Sequence, residues 1–225
     1  MTVIAIDGPA GSGKSTVAKA LATALGLDYL DTGAMYRAVA FAALRRGVDI
    51  DDADAVTRLA QEFELRMDAD GSVRVDGVDA TIEIRGPEVT RAVSIVAAIG
   101  GVREEMRSRQ REWATKHGGG VMEGRDIGTV VFPDAALKVY LDASPQVRAA
   151  RRSKEVTDLD YETVAADIAK RDALDQGRTD SPLRTADDAV TIDTSDLTVD
   201  DIVARVMDHL GTTDGDAPDD DRTPR

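Results

Sequence analysis

The sequence predicts an α/β fold in which helices flank a parallel β-sheet. Short apolar runs alternate with longer segments whose apolar residues recur at a spacing of three and four. The first run ends in a glycine-rich turn that leads directly into a helical pattern. Strand, helix, strand and helix in this order build a parallel sheet with right-handed crossovers. At 225 residues and 42% hydrophobic, the chain can bury the core of one such domain.

The amino-terminal elements follow from these patterns. Residues 2–7, TVIAID, are a short apolar strand. A helix over 14–25 has Val17, Leu21 and Leu25 on one face. YLD at 29–31 predicts a second strand, and a second helix covers about residues 33–46.

The sequence pattern changes in residues 63–81, where apolar and polar residues alternate. The alternation breaks at Asp70-Gly71 and again at Asp76-Gly77. Asp-Gly between alternating segments is a hairpin signal. We therefore predict two or three short antiparallel strands that form an insertion into the parallel core.

After residue 81 the sequence again predicts helices and parallel strands. Pro87 suits the first turn of a helix. The predicted elements are helices at about 87–98 and 102–116, strands at Val121–Met122 and 137–141, helices at 145–155 and about 161–174, a last strand and loop within 189–198, and a closing helix at 199–210. From Gly211 onward, glycine, proline and clustered Asp predict a disordered acidic tail.

Composition excludes several classes of function. The net charge of −14 argues against general nucleic-acid binding, which normally needs a basic face. Without cysteine there is neither a disulfide framework nor a thiolate metal site. The sequence has no apolar run of roughly 20 residues and no secretory signal pattern. We expect a cytoplasmic protein, not bound to a membrane, and a monomer.

One motif carries strong chemical information. GPAGSGKS at residues 8–15 matches G-x-x-x-x-G-K-[ST], with a predicted strand before it and a helix after it. Such a P-loop turns backbone N–H groups and a helix N-terminus toward phosphate oxygens. Lys14 would reach the β- and γ-phosphates, and Ser15 would bind Mg²⁺. The predicted ATP-binding residues are Gly8, Pro9, Ala10, Gly11, Ser12, Gly13, Lys14, Ser15 and Thr16.

A P-loop leaves the acceptor open, because GTPases, motors and small kinases share it. The guanine-specifying N-K-x-D pattern is missing from the sequence. Phosphoryl transfer is catalysed largely by positioning and by electrostatic stabilisation. Arginines on separate elements suit a nucleotide kinase, and the candidates are Arg37, Arg125, Arg148, Arg151, Arg152 and Arg178.

Six segments in order make the resemblance specific: IDGPAGSGKST, DTGAMYR, EIRGPEVTRAVSIVAA, VREEMRSRQR, EGRDIGTVVFPDA and RDALDQGRTDSPL. Together they resemble the bacterial cytidylate kinases, from about residue 2 to residue 210. The resemblance implies ATP-dependent phosphorylation of CMP and dCMP with Mg²⁺. It also implies one P-loop kinase domain over 1–210, with a core at about 1–47, 100–145 and 186–210. The monophosphate-binding region would be about 48–99, the lid about 146–160, and the tail 211–225.

The resemblance also implies roles for individual residues. Lys14, Arg125, Arg151, Arg152 and Arg171 would act in catalysis, the last three at the ATP phosphates or the moving phosphoryl group. Arg37 and Arg178 would hold the acceptor phosphate, and Ser94, Arg103 and Asp126 the base. The full implied CMP site is Thr32, Tyr36, Arg37, Ser94, Arg103, Arg125, Asp126, Asp175 and Arg178.

Simpler interpretations stay open for some of these positions. Ser94 or Tyr36 could be packing residues, and Thr32 could be a helix N-cap. Asp175 and Arg178 could form a surface ion pair of little energetic value. Two functional alternatives also remain. One is another small-molecule P-loop kinase, and the other is a nucleotide-binding switch without catalysis.

Overall fold

The computed structural model of the protein describes residues 1–68, 70–155 and 160–213. The strands are β1 (Thr2–Asp7), β2 (Tyr29–Asp31), β3 (Leu65–Met67), β4 (Val73–Val75), β5 (Val78–Asp79), β6 (Gly119–Gly124), β7 (Leu137–Asp142) and β8 (Val190–Asp193). The α-helices are α1 (Lys14–Leu25), α2 (Thr32–Arg46), α3 (Ala53–Glu62), α4 (Pro87–Val96), α5 (Gly100–His117), α6 (Pro145–Glu155), α7 (Tyr161–Gln176) and α8 (Val199–Thr213).

Five strands form one sheet in the order β2-β6-β1-β7-β8. Each pairing in this sheet is parallel, which confirms the predicted α/β fold. Parallel strands end at a common edge, and here the register places Asp7 beside Gly124 and Asp31 beside Glu123. Ligands of such folds bind at the carboxyl edge of the sheet.

Strand β1 has buried side chains on both faces of this sheet. Along β1, Val3 and Ala5 belong to the core that includes residues of α2, α3, α4 and α5. Ile4 and Ile6 belong to the opposite core, with residues of α1 and α8. Burial on both faces explains why the strand is apolar throughout instead of alternating.

The predicted antiparallel insertion is confirmed as a sheet in the order β3-β4-β5. Asp76 and Gly77 have φ angles of 51° and 75°, and Val75 pairs with Val78 across them. Two consecutive left-handed residues give the type I′ turn that joins tightly paired strands. Buried Val73 and Val75 place this sheet in the same core as α2.

Helix α3 was not predicted from the sequence, although its signals are present. The Asp52 side chain caps it by accepting a hydrogen bond from the Ala55 N–H at 2.9 Å. Buried Val56 and Leu59 occupy one face, three residues apart.

Smaller differences concern element boundaries. Helix α5 begins at Gly100, two residues earlier than predicted, and α8 extends to Thr213. Residues 211–213 of the predicted disordered tail are therefore helical, and the rest of that tail lies outside the described residues. Residues 156–159 of the predicted lid also lie outside them. A π-helical turn, Ile127–Val131, follows the Arg125-Asp126 pair. In the described ranges no helix is long and apolar enough to cross a membrane.

Candidate active site

The carboxyl edge of the parallel sheet opens into a cavity of about 580 Å³. Nine Lys or Arg side chains line it against five Asp or Glu, whereas the whole chain carries a net charge of −14. Such a local excess of positive charge favours anionic ligands. The sequence-predicted residues that line it are Ala10, Gly11, Gly13, Lys14, Ser15, Thr16, Thr32, Tyr36, Arg37, Ser94, Arg103, Arg125, Asp126, Arg152, Arg171, Asp175 and Arg178. Five predicted residues do not line the cavity: Gly8, Pro9, Ser12, Arg148 and Arg151.

The glycine-rich loop between β1 and α1 supplies one wall of the cavity. The Lys14 Nζ is buried and donates a hydrogen bond to the Pro9 carbonyl at 2.7 Å. Burial, and then the nearby Arg125 guanidinium, lower the pKa of Lys14 to about 7. A buried ammonium in this position gains from a phosphate ligand, which compensates its desolvation.

A hydroxyl and a carboxylate meet beside Lys14. The Ser15 Oγ donates to Glu123 Oε2 at 2.9 Å, and the Tyr29 hydroxyl donates to Glu123 Oε1. Burial, together with nearby Asp31, raises the pKa of the Glu123 carboxyl. Hydroxyl and carboxylate oxygens suit Mg²⁺, which usually takes one or two protein ligands and completes its shell with phosphates and water. In residues 1–68, 70–155 and 160–213, no cluster of three or more His, Cys, Asp or Glu could hold a metal alone.

Two buried ion pairs belong to a second part of the cavity lining, the arginine wall. Arg103 donates to the Asp126 carboxylate at 2.6 Å, with side chains 1% and 6% exposed. The Arg103 guanidinium also lies 5.3 Å from the Tyr36 ring centre. Asp175 accepts from Arg125 at 2.9 Å and from Arg178 at 2.5 Å. Tyr36 thus contacts the site, and Asp175–Arg178 is a buried pair, so the surface-pair interpretation is wrong.

Several arginines of this wall have a guanidinium nitrogen that makes no hydrogen bond within the protein. Within the described part of the chain, the buried Nε atoms of Arg103, Arg171 and Arg178 have no hydrogen-bond partner. A buried donor without a partner costs about 1–3 kcal/mol, so these groups favour a ligand that accepts hydrogen bonds. Burial, and then Arg125 and Arg37, lower the pKa of Arg171 to about 9. At neutral pH this guanidinium still carries its charge.

The residues from α2 are fixed by contacts to neighbouring elements. Arg37 Nη1 donates to the Ile84 carbonyl at 3.0 Å and to Thr90 Oγ1 at 2.9 Å. Thr32 Oγ1 donates to the Glu123 carbonyl at 2.6 Å. Thr32 is not the N-cap of α2, because Asp31 accepts from the Ala34 N–H at 2.9 Å and fills that role.

The three arginines of α6 point in different directions. Arg152 lines the cavity and donates to Glu155 at 2.6 Å. Arg148 donates to the Ala10 carbonyl at 3.1 Å and to the Asp172 carboxylate. Arg151 donates to Thr194 at 2.8 Å and 2.6 Å and does not line the cavity. The predicted contact of Arg151 with phosphate stays a prediction.

Sequence reasoning did not identify Asp7, which closes β1. Its carboxylate accepts from the backbone N–H groups of Ile127 and Gly128 at 2.9 and 2.8 Å. Burial raises the pKa of Asp7 to about 6. The signal was an acid at the end of an apolar strand that leads into the P-loop. Asp7 ties the end of β1 to the turn that carries Arg125 and Asp126.

The parallel sheet, the P-loop and the basic cavity at its carboxyl edge define a P-loop nucleotide-binding protein. A shikimate kinase structure from Bacteroides thetaiotaomicron shares this fold with a TM-score of 0.50 and 14% identity, over 93% of this chain and 98% of that one. An uncharacterised protein from Eubacterium ventriosum matches with a TM-score of 0.51 and 15% identity, over 94% of this chain and 99% of that one. These similarities concern the fold alone.

Sequence comparison is more specific. The family model described as cytidylate kinase matches residues 4–212. Cytidylate kinases from Mycobacterium avium and Pelotomaculum thermopropionicum are 52% and 50% identical to this chain. The first alignment covers 92% of each protein, and the second covers 91% of this chain and 93% of the relative. The chain belongs to the cytidylate kinase family, and it is therefore a phosphotransferase.

Proposed function

We propose that the protein transfers the γ-phosphoryl group of ATP to CMP and dCMP, with Mg²⁺, giving ADP and CDP or dCDP. The observation that carries this proposal is that two sets of residues line one cavity. Buried Lys14 and the P-loop form one wall, and the Arg103–Asp126 pair stands on the other. The family membership of the chain supports the same donor and acceptor.

The P-loop wall would bind ATP. Its backbone N–H groups and the N-terminus of α1 favour the triphosphate charge. Lys14 would neutralise the β- and γ-phosphates. Ser15, with Glu123 hydrogen-bonded to it at 2.9 Å, would hold Mg²⁺. When bound, the ion would neutralise charge on the phosphates.

The arginine wall would hold the acceptor phosphate. Arg37 and Arg178 are the proposed phosphate ligands, because a planar guanidinium binds phosphate through two parallel hydrogen bonds. An oxygen of the acceptor phosphate would then attack the γ-phosphoryl group in line, without a covalent enzyme intermediate. Arg125, Arg152 and Arg171 line the same cavity and would stabilise the charge of the moving group.

The Arg103–Asp126 pair would recognise the base. Cytosine carries an amino donor at C4 and acceptors at N3 and O2. The Asp126 carboxylate can accept from the amino group, while Arg103 and Ser94 donate to the ring. Uracil places a carbonyl where the amino group stands, so it would face a buried carboxylate. Such a mismatch costs about 1–3 kcal/mol, which favours CMP over UMP.

Asp175, Thr32 and Tyr36 complete the proposed acceptor site. Asp175 would contact the ribose, and Thr32 and Tyr36 would line the pocket around the nucleoside. Helix α6 would form part of a lid that excludes water from the reacting groups. Cytoplasmic location, a monomeric state and the lack of nucleic-acid binding remain predictions.

A coupled assay for ADP formation tests the proposal directly, with CMP, dCMP and UMP as acceptors. We expect turnover with CMP and dCMP and a kcat/KM at least about tenfold lower with UMP. Turnover only with a different phosphate or hydroxyl acceptor would identify another small-molecule kinase. ATP binding without transfer to any acceptor would indicate a non-catalytic switch.

A further inference from the structure

Arg151 lies beside the P-loop, with its Nη1 3.7 Å from the Cβ position of Gly13, and its hydrogen bonds connect it to the loop through one threonine. Its Nη1 donates to Thr194 Oγ1 at 2.8 Å, and its Nη2 donates to the Thr194 carbonyl at 2.6 Å. Thr194 Oγ1 in turn donates to the Ser12 carbonyl at 3.0 Å. Thr194 is 0% exposed, and its N–H donates to the Asp142 carbonyl at 2.8 Å. The threonine is therefore held at the end of β7 and cannot simply follow the loop.

The hydrogen bond to Ser12 fixes the direction of one peptide group. A trans peptide is planar, with its C=O and its N–H on opposite sides. Because Thr194 holds the Ser12 carbonyl on one side, the Gly13 N–H is directed to the other. Gly13 lines the cavity, whereas Ser12 is fully buried and does not. The held carbonyl thus lies behind the loop, and the N–H of the same peptide is directed toward the cavity.

The same helix supports the loop at a second peptide. Arg148 donates to the Ala10 carbonyl at 3.1 Å, and the following residue, Gly11, lines the cavity. A Cβ on Gly11 would lie 2.8 Å from the Arg148 carbonyl oxygen, so the helix backbone lies directly against the loop. Two carbonyls of the P-loop are therefore held through arginines of α6.

We propose that Arg151 and Thr194 are positioning residues for the nucleoside triphosphate, which keep the Gly13 N–H directed at its phosphates. Arg151 would act through Thr194, and this positioning role would replace the role at the transferred phosphoryl group that the family resemblance implies for it. The inference uses the proposed function only in requiring that the P-loop bind ATP. It assigns Arg151 a different role from Arg152, its neighbour on α6 that faces the cavity.

The arrangement also predicts that both residues are needed. The Thr194 hydroxyl accepts from a charged donor and donates to a carbonyl at the same time. A hydroxyl polarised by a guanidinium is a stronger donor, so the two hydrogen bonds reinforce each other. Loss of either residue should weaken the same contact with Ser12.

The test compares four variants: Thr194→Val, which removes the hydroxyl at nearly constant volume, Thr194→Ser, which keeps it, Arg151→Gln, and the Val/Gln double variant. ATP affinity is measured by equilibrium titration without an acceptor, and kcat is measured at saturating ATP. We expect Thr194→Val and Arg151→Gln each to weaken ATP binding about five- to tenfold. The double variant should be no weaker than the poorer single variant, because residues in one network are not additive.

Two further readouts separate positioning from direct contact. Thr194→Ser should bind ATP within about twofold of the wild type, and kcat at saturating ATP should change less than about threefold in all four variants. Arg152→Gln, at the cavity, should instead lower kcat. Melting curves identify any variant that does not fold, and the Ser and Gln variants then carry the test.

Some outcomes would overturn the inference. A large loss of kcat in Arg151→Gln, with Thr194→Val unchanged, would place Arg151 on the phosphoryl group. Multiplicative losses in the double variant would show that the two residues act separately. ATP binding is measured without an acceptor. Failure of the wild type to phosphorylate CMP would therefore refute the proposed function, but it would not affect the test of Arg151 and Thr194 by ATP affinity.

Discussion

The two walls of the cavity are built in different ways. The P-loop wall is one continuous stretch, residues 8–16, between a strand and a helix. The arginine wall collects side chains from α2, α4, α5, the turn after β6, α7 and the loop that follows α7. Backbone geometry fixes the spacing of the first wall, so a short motif describes it. Tertiary packing alone brings the second wall together, so no short motif can.

The charge balance of the two walls differs as well. Lys14 is the only cationic residue in 8–16, and its pKa falls to about 7 because of burial and Arg125. The arginine wall is a network in which Arg125 and Arg178 share Asp175. A single cation has no substitute, whereas members of a network can partly replace one another. This contrast predicts larger losses on the P-loop side.

Lys14→Ala should therefore have the largest effect. Removing the charge that faces the β- and γ-phosphates should lower kcat/KM for phosphoryl transfer by about 10²–10³ or more. The coupled assay with ATP and CMP measures this loss. Lys116→Ala is the control, since Lys116 is an exposed lysine that does not line the cavity. A Lys14→Ala protein with more than a tenth of wild-type activity would show that the P-loop charge is dispensable.

Arg37→Ala and Arg178→Ala should produce smaller losses that fall on the acceptor. Each should raise KM for CMP about 10- to 100-fold, the size expected for a charged hydrogen bond to phosphate. KM for ATP should stay within about twofold. Arg66→Ala, at a surface arginine that pairs with Asp68 far along the chain from either wall, serves as control. Unchanged CMP kinetics in both variants would place the acceptor phosphate elsewhere.

Asp126→Asn should change selectivity more than rate. The amide keeps the volume and can still accept from Arg103, but its NH₂ group can donate to the carbonyl of uracil. We expect the ratio of kcat/KM for CMP over UMP to fall about tenfold. Steady-state kinetics with both nucleotides measure the ratio. An unchanged ratio would remove Asp126 from base recognition.

The sequence predicts the features built by neighbouring residues better than those built by residues distant along the chain. The P-loop, its flanking elements and the Asp76-Gly77 hairpin are local, and the sequence predicts each of them. The roles of Asp7 and Thr194 were not predicted, because each contacts residues more than a hundred positions away along the chain. Asp7 contacts Ile127 and Gly128, and Thr194 contacts Ser12. The partner of Arg151 could not be predicted for the same reason. An arginine in this sequence context suggests phosphate binding, and only the folded structure shows that its side chain is hydrogen-bonded to Thr194.

The smallest expected effect concerns protons at Lys14. Its pKa of about 7 means that above this pH the free protein holds the amine mostly uncharged. ATP phosphates favour the ammonium, so binding raises the pKa and takes up a proton above pH 7, but not well below it. Apparent ATP affinity should then fall about fivefold between pH 7 and pH 8. Calorimetry at pH 8 in two buffers of different ionisation enthalpy should detect nearly one proton taken up per ATP. Lys14→Met should abolish the uptake; equal uptake in that variant would assign the proton to another group.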